Sequence, residues 1–180
     1  MAKATGGGGF VPAPPGSWSA VCVDVIDLGI IEVTFGGKTK KQHKIRVVWQ
    51  IEEVMENNKP YTVQKRYTLS LHEKASLRKD LESWRGRSFT PLELEGFDVE
   101  TVLGVPCLLN VIEQKRDGET YANVASIMRL PKSMEAIEPR DYIRKKDREP
   151  MQSAAIEDQQ QHNELPWEPS WEPSDDDIPF

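Results

Sequence analysis

The sequence predicts a mainly β body with one helical insertion, followed by a disordered acidic tail. Three observations carry this. Apolar and polar residues alternate with a period of two in several short stretches between Trp18 and Leu130. One segment, with Leu77, Leu81 and Trp84 spaced i, i+4, i+7, has a helical period instead. The last 32 residues of the 180 carry nine acids and no Lys or Arg, a composition too poor in aliphatic residues to offset its ordering entropy.

The elements follow in order. Residues 1–9, with four consecutive glycines, form a flexible N-terminus ahead of a folded domain over 10–130. From Trp18 the chain is extended, with Val21, Val23 and Val25 expected on one face and Cys22, Asp24 and Ile26 on the other. Leu28–Phe35 is a second strand or a bent continuation of the first, and Gly29 is suited to a bulge. Gly36-Gly37 opens a turn, and Lys38–Gln42 reads as a basic loop. His43–Ile51 is the clearest strand: Ile45, Val47, Trp49 and Ile51 share one face, Lys44, Arg46 and Gln50 the other. Asn57-Asn58-Lys59-Pro60 turns into a further strand, Tyr61–Leu71. The helix around Leu77–Trp84 ends at Gly86, a residue suited to the left-handed C′ position. Asp98 is placed to cap a short helix closed by Gly104. Val105–Glu113 and Tyr121–Leu130 are strands joined by the hairpin signal Arg116-Asp117-Gly118-Glu119. Five strands with a helix between the third and fourth is the order of an OB-like five-stranded Greek-key barrel, a fold that binds single strands on the face of strands 2 and 3. A generic five-strand α+β domain has a similar reading. Residues 131–174 form a largely disordered linker rich in Pro, Gln and Trp, with the tandem repeat Trp167-Glu168-Pro169-Ser170 and Trp171-Glu172-Pro173-Ser174.

Several chemistries lack their residues. Gly36-Gly37-Lys38-Thr39 resembles the end of a phosphate-binding loop, but the pattern needs a glycine where Glu32 stands. His43, His72 and His162 are scattered and neither Cys22 nor Cys107 belongs to a C-x-x-C pair, so no zinc spacing exists and no cofactor is expected. No nucleophile–His–acid grouping assembles, and nothing in the sequence argues for an enzyme. The cysteines lie in apolar runs, as reduced core residues of a cytoplasmic protein would. No apolar run approaches the length of a membrane span.

The formal net charge of −6 conceals an asymmetry: residues 1–148 carry +3 and residues 149–180 carry −9. Lys38, Lys40, Lys41, Lys44 and Arg46 crowd one stretch, with Lys65 and Arg66 on the next strand. Such cations contact phosphates. Phe35, Trp49, Tyr61 and Tyr67 are candidate stacking faces for bases. Core packing competes for Trp49, which shares a face with Ile45, Val47 and Ile51, and the parity of Lys65 and Tyr67 is ambiguous.

The chain ends in Asp175-Asp176-Asp177-Ile178-Pro179-Phe180. This acidic tip resembles that of the bacterial single-stranded-DNA-binding proteins, whose layout of OB domain, Pro/Gln-rich linker and terminal acidic motif is also similar. The resemblance implies that Phe180 enters an apolar pocket on a partner, its carboxylate meets a basic residue, and the aspartates meet a basic rim. The body departs from that family, and the family's tetramer is not carried over; a homo-oligomer stays open. Tyr67-Thr68-Leu69-Ser70-Leu71-His72-Glu73-Lys74 and Leu81-Glu82-Ser83-Trp84-Arg85-Gly86-Arg87 instead look like small proteins encoded in bacteriophage replication and recombination modules. The expectation is sequence-tolerant binding of single-stranded DNA, with the tip recruiting replication, recombination and repair proteins. The alternative is an adaptor that uses the tip without touching DNA.

Overall fold

The computed structural model describes residues 11–148. They form a mainly β structure around one five-stranded antiparallel sheet, ordered β3-β2-β1-β4-β5. The strands are β1 (Gly16–Phe35), β2 (Lys38–Val54), β3 (Pro60–Thr68), β4 (Pro106–Arg116) and β5 (Glu119–Met128). Between β3 and β4 come α1 (Ser76–Arg85), α2 (Pro91–Glu95) and a 3₁₀ turn at Val99–Val102. The edge strands β3 and β5 approach each other, and α1 lies against both.

Local chemistry explains the joints. Gly36 and Gly37 have φ of 57° and 78°, the left-handed pair a two-residue hairpin needs to match strand twist. Asp117 and Gly118, at 51° and 80°, do the same between β4 and β5. Gly86 ends α1 in the left-handed conformation, its N–H donating to Glu82 O. α2 begins with a capping box in which Thr90 and Glu93 bond reciprocally, with proline in the first turn. The Thr90 N–H, then Arg87 and Arg85, hold the Glu93 carboxyl down at about 2.

The main core lies under the sheet. Ile45, Val47, Trp49 and Ile51 of β2 meet Leu77, Leu81 and Trp84 of α1. The Trp49 and Trp84 rings are 6.0 Å apart, and each buried Leu contributes about 1.5–3 kcal/mol of transfer free energy. Cys22 and Cys107 are free and buried in the same core; desolvation pushes the Cys22 thiol up to about 12. The face of α1 that meets this core is the stripe expected from its spacing.

Three sequence expectations change. Lys38–Gln42 is not a loop: it is the start of β2, paired from Phe35↔Lys38 to Ile31↔Gln42. A run of lysines is depleted in strands, yet the glycine turn brings this stretch beside the β-branched Ile31 and Val33, and the ladder forms. β1 is one continuous bent strand, one of the two readings of Leu28–Phe35, and one of its two register shifts falls at Gly29 as expected, between Asp27 and Gly29, the other between Cys22 and Asp24; what changes is the assignment of faces over Val21–Ile26. Each shift inserts an extra residue and reverses which side chains face the core. Val25 therefore faces the main core with Cys22, whereas Val21, Val23 and Ile26 join Val48 in a second cluster on the opposite face. The third strand stops at Thr68, short of Leu71.

Residues 131–148, expected within the linker, instead form a strap across that opposite face. Ser19 Oγ donates to Glu135 O (2.8 Å), and Gln50 exchanges two hydrogen bonds with the Arg140 backbone (2.7 and 2.8 Å). Ile137 and Tyr142 pack on the second cluster. The strap ends at Asp24, which is 1% exposed. Its carboxylate accepts from the Lys145 N–H (2.7 Å), Arg144 Nε (3.1 Å) and Tyr142 OH (3.2 Å). Residues 1–10 and 149–180, including the rest of the expected linker and the acidic tip, lie outside the described residues. Among the described residues, no helix is long and apolar enough to cross a membrane.

Candidate nucleic-acid interface

Cross-strand partners lie on the same face of an antiparallel pair, so the register fixes where each cation sits. β2 itself carries no extra residue between Lys38 and Gln50; both bulges belong to β1. Its even-numbered side chains therefore all share the face away from the main core: Lys38, Lys40, Gln42, Lys44, Arg46, Val48 and Gln50. On β3, Thr68 and Arg66 lie on this outer face opposite Lys44 and Arg46. On β1, Val33 and Phe35 stand beside Lys40 and Lys38. Five of the seven expected cations, Lys38, Lys40, Lys44, Arg46 and Arg66, thus form one stripe.

Their settings differ along the stripe. Lys38 and Arg66 are exposed and Lys40 half-buried. Lys44 and Arg46 are buried, at 3% and 6% exposure, and Lys44 Nζ donates to Thr68 Oγ1 (2.8 Å). Lysine and arginine stems cover apolar surface while the heads stay polar-bonded. Phe35 closes the distal end of the stripe at 65% exposure, an aromatic face in solvent beside two lysines.

The other expected site residues lie elsewhere. Lys41 is on the opposite face of the ribbon, 4.0 Å from Glu32. Lys65 faces inward and pairs with Asp80 of α1 at 2.7 Å. Tyr67 is core, its OH donating to the same Asp80 Oδ2 (2.7 Å); burial, then the neighbouring carboxylate, raises its pKa well above the usual phenol value. Register between β2 and β3 is regular from Lys44 to Gln50, so no bulge turns Lys65 or Tyr67 outward. Trp49 is fully buried, and Tyr61 is half-buried against the main core. Of the four aromatic candidates, Phe35 alone is both exposed and on the stripe. The void beside Trp49, Tyr67 and Asp80 measures about 10 Å³, room for about one water.

A further pair sits where the ribbon leaves the body. His43 Nε2 lies 2.6 Å from Asp27 Oδ1, and the same oxygen accepts from the Gly29 N–H at 2.7 Å. Both contacts hold the Asp27 carboxyl below its ordinary range, the histidine contributing most. Sequence reasoning missed this clamp, and it missed the strap's hold on Asp24. A signal for the second was present, since Asp24 is a lone acid in the apolar run Val21–Ile26 and a buried carboxylate requires donors. Among the described residues, no group of His, Cys, Asp and Glu is placed to hold a metal ion. No protein-family model and no curated protein matches this chain.

Proposed function

We propose that the protein binds single-stranded DNA without strong sequence preference, and that its C-terminal tip recruits replication, recombination and repair proteins. The carrying observation is the stripe of Lys38, Lys40, Lys44, Arg46 and Arg66 on one face of β2 and β3, ending at the exposed Phe35. Cations along a sheet face track a phosphate backbone, and an exposed ring offers a base about 1–3 kcal/mol of stacking. The strand order, the approach of β3 to β5 and the helices between β3 and β4 support reading the body as an OB-like Greek-key barrel. The β2–β3 face that carries the stripe is the one such barrels use.

The tip reading rests on Asp175-Asp176-Asp177-Ile178-Pro179-Phe180: apolar area at Ile178 and Phe180, with acids that steer encounter. One paired experiment tests both halves. The full chain and a variant lacking Phe180 are titrated against labelled oligo-dT with duplex as competitor, then used as bait in a bacterial lysate. Both forms should bind oligo-dT and resist duplex. Only the full chain should capture replication, recombination or repair proteins. Equal competition by duplex contradicts the DNA reading, and unchanged capture contradicts the role of the tip.

A further inference from the structure

The two edges of the β1–β2 ribbon are built differently. β4 pairs with β1 from Gly16 to Val21, and among the described residues no further strand takes its place along Gly29–Phe35. β3 likewise leaves β2 at Lys44. The ribbon beyond the body therefore has two open edges, each a row of backbone N–H and C=O groups able to pair with another chain. The β2 edge carries Lys38, Lys40 and Lys41, the residue type that guards edge strands. The β1 edge, Ile30-Ile31-Glu32-Val33-Thr34-Phe35, has no Lys, Arg or Pro and a single acid. Its pairing with β2 is unbroken from Gly29 onward, and it is rich in the β-branched and aromatic residues that strands prefer. Ile30 is 70% exposed and Phe35 65%.

We propose that this edge of β1 pairs antiparallel with the same edge of a second copy, across a two-fold axis at Val33. A two-fold axis normal to the sheet brings equal faces together, so each residue meets one of its own parity. With the axis at Val33, the outer face joins Ile31 to Phe35 of the second copy and Val33 to its own counterpart, an unbroken apolar row. An axis at Glu32 instead sets two carboxylates directly opposite, which is destabilising. An axis at Thr34 carries Ile31 and Glu32 onto the turn glycines. The backbone agrees. In a two-residue hairpin the pair beside the turn, here Phe35 and Lys38, bonds across the ribbon. By alternation Phe35, Val33 and Ile31 aim their backbone groups at β2, and Thr34, Glu32 and Ile30 aim theirs outward. On either side of the axis, Glu32 of one copy and Thr34 of the other then exchange both hydrogen bonds. A contact this short is smaller than a standard interface, so the dimer is weak and concentration-dependent. Pairing at the edge does not depend on DNA binding. It leaves Lys38 and Lys40 on the outer face, one stripe on each side of the apolar row.

Sedimentation equilibrium of the full chain without DNA tests this. The mass should rise with concentration from that of one chain towards that of two. Val33→Glu sets like charges across the axis while placing an acid beside Lys40 of its own chain. It should weaken self-association on the order of tenfold or more and leave the far-ultraviolet circular dichroism unchanged. Oxidative cross-linking reads the register. At the axis the two Val33 positions form a non-hydrogen-bonded pair with Cα atoms about 4.5 Å apart, within reach of a disulfide. Val33→Cys should therefore give a covalent dimer under a mild oxidant. Thr39→Cys, exposed on β2, should not, and the native Cys22 and Cys107 are buried. If Val33→Glu perturbs the ribbon, the cross-linking pair still decides. A wild-type chain that stays monomeric through the high micromolar range, a dimer indifferent to Val33→Glu, or equal cross-linking at Thr39→Cys overturns the proposal. None of these results bears on the DNA-binding proposal, because no DNA is present.

Discussion

Reversing three charges on the outer face, Lys38→Glu, Lys40→Glu and Arg66→Glu, should weaken oligo-dT binding on the order of 100-fold or more at low salt, since about three phosphate contacts become repulsions. The three positions share one face of β2 and β3, and none belongs to either apolar cluster. The fold should therefore tolerate the change, with an unfolding midpoint near that of wild type. Lys79→Glu supplies the control, because it places the same reversal on the exposed side of α1, remote from the stripe by topology. Fluorescence anisotropy with labelled oligo-dT checks the result. A triple variant that binds as tightly as wild type, or a control that loses as much, would show that the stripe is not the contact surface.

Asp24→Ala should destabilise the body by about 3–5 kcal/mol, because it leaves a desolvated ion pair with one partner. The carboxylate is 1% exposed and satisfies three donors, all from residues 142–145. Without it, Arg144 keeps only Glu100, and the strap loses its hold over Val21, Val23, Ile26 and Val48. Against a typical total of about 5–15 kcal/mol, this is a large fraction. Urea denaturation followed by far-ultraviolet circular dichroism measures it. The Asp24→Ala, Arg144→Ala double variant should be less destabilised than the sum of the two single changes, because the second removes the charge that the first orphans. A single-variant loss below about 1 kcal/mol would mean that the strap is held by its apolar contacts and by Gln50, rather than by the buried acid.

The elements legible in the sequence were those set by local chemistry. Gly36-Gly37, Asp117-Gly118 and the Gly86 cap mark turns that only residues tolerant of positive φ accept, and Leu77, Leu81 and Trp84 define a helical stripe that needs no tertiary information. The Thr90-Pro91…Glu93 capping box was equally local and went unread, because α2 has only five residues and buries none of them. What depended on distant partners was not legible. Composition argued for a loop at Lys38–Gln42, and only the ladder with β1 makes it a strand. Gly29 marked one bulge of β1, but no local signal marked the one between Cys22 and Asp24, which reverses the faces that a period of two assigns. The strap has no periodicity, and its order comes from a carboxylate more than 100 positions away in the chain.

The candidate site divides along the same line. Parity within β2 placed Lys44 and Arg46 together on the face opposite Trp49, and the structure keeps that arrangement. Lys65 and Tyr67 were ambiguous by parity and are settled by Asp80, which binds both from α1. Trp49 meets Trp84 in the core, so under the proposed function the aromatic role falls to Phe35, which pairs with Lys38 across the glycine turn.

The salt dependence of oligo-dT binding by the full chain tests the central claim most directly. A backbone held by the stripe predicts a linear fall of log affinity with log salt, at about 0.7 per phosphate contacted. A total slope of about 2 or steeper, with single strands favoured over duplex at every salt concentration, agrees with the accessible cations Lys38, Lys40 and Arg66. A flat dependence, or no binding at about 50 mM salt, would contradict it.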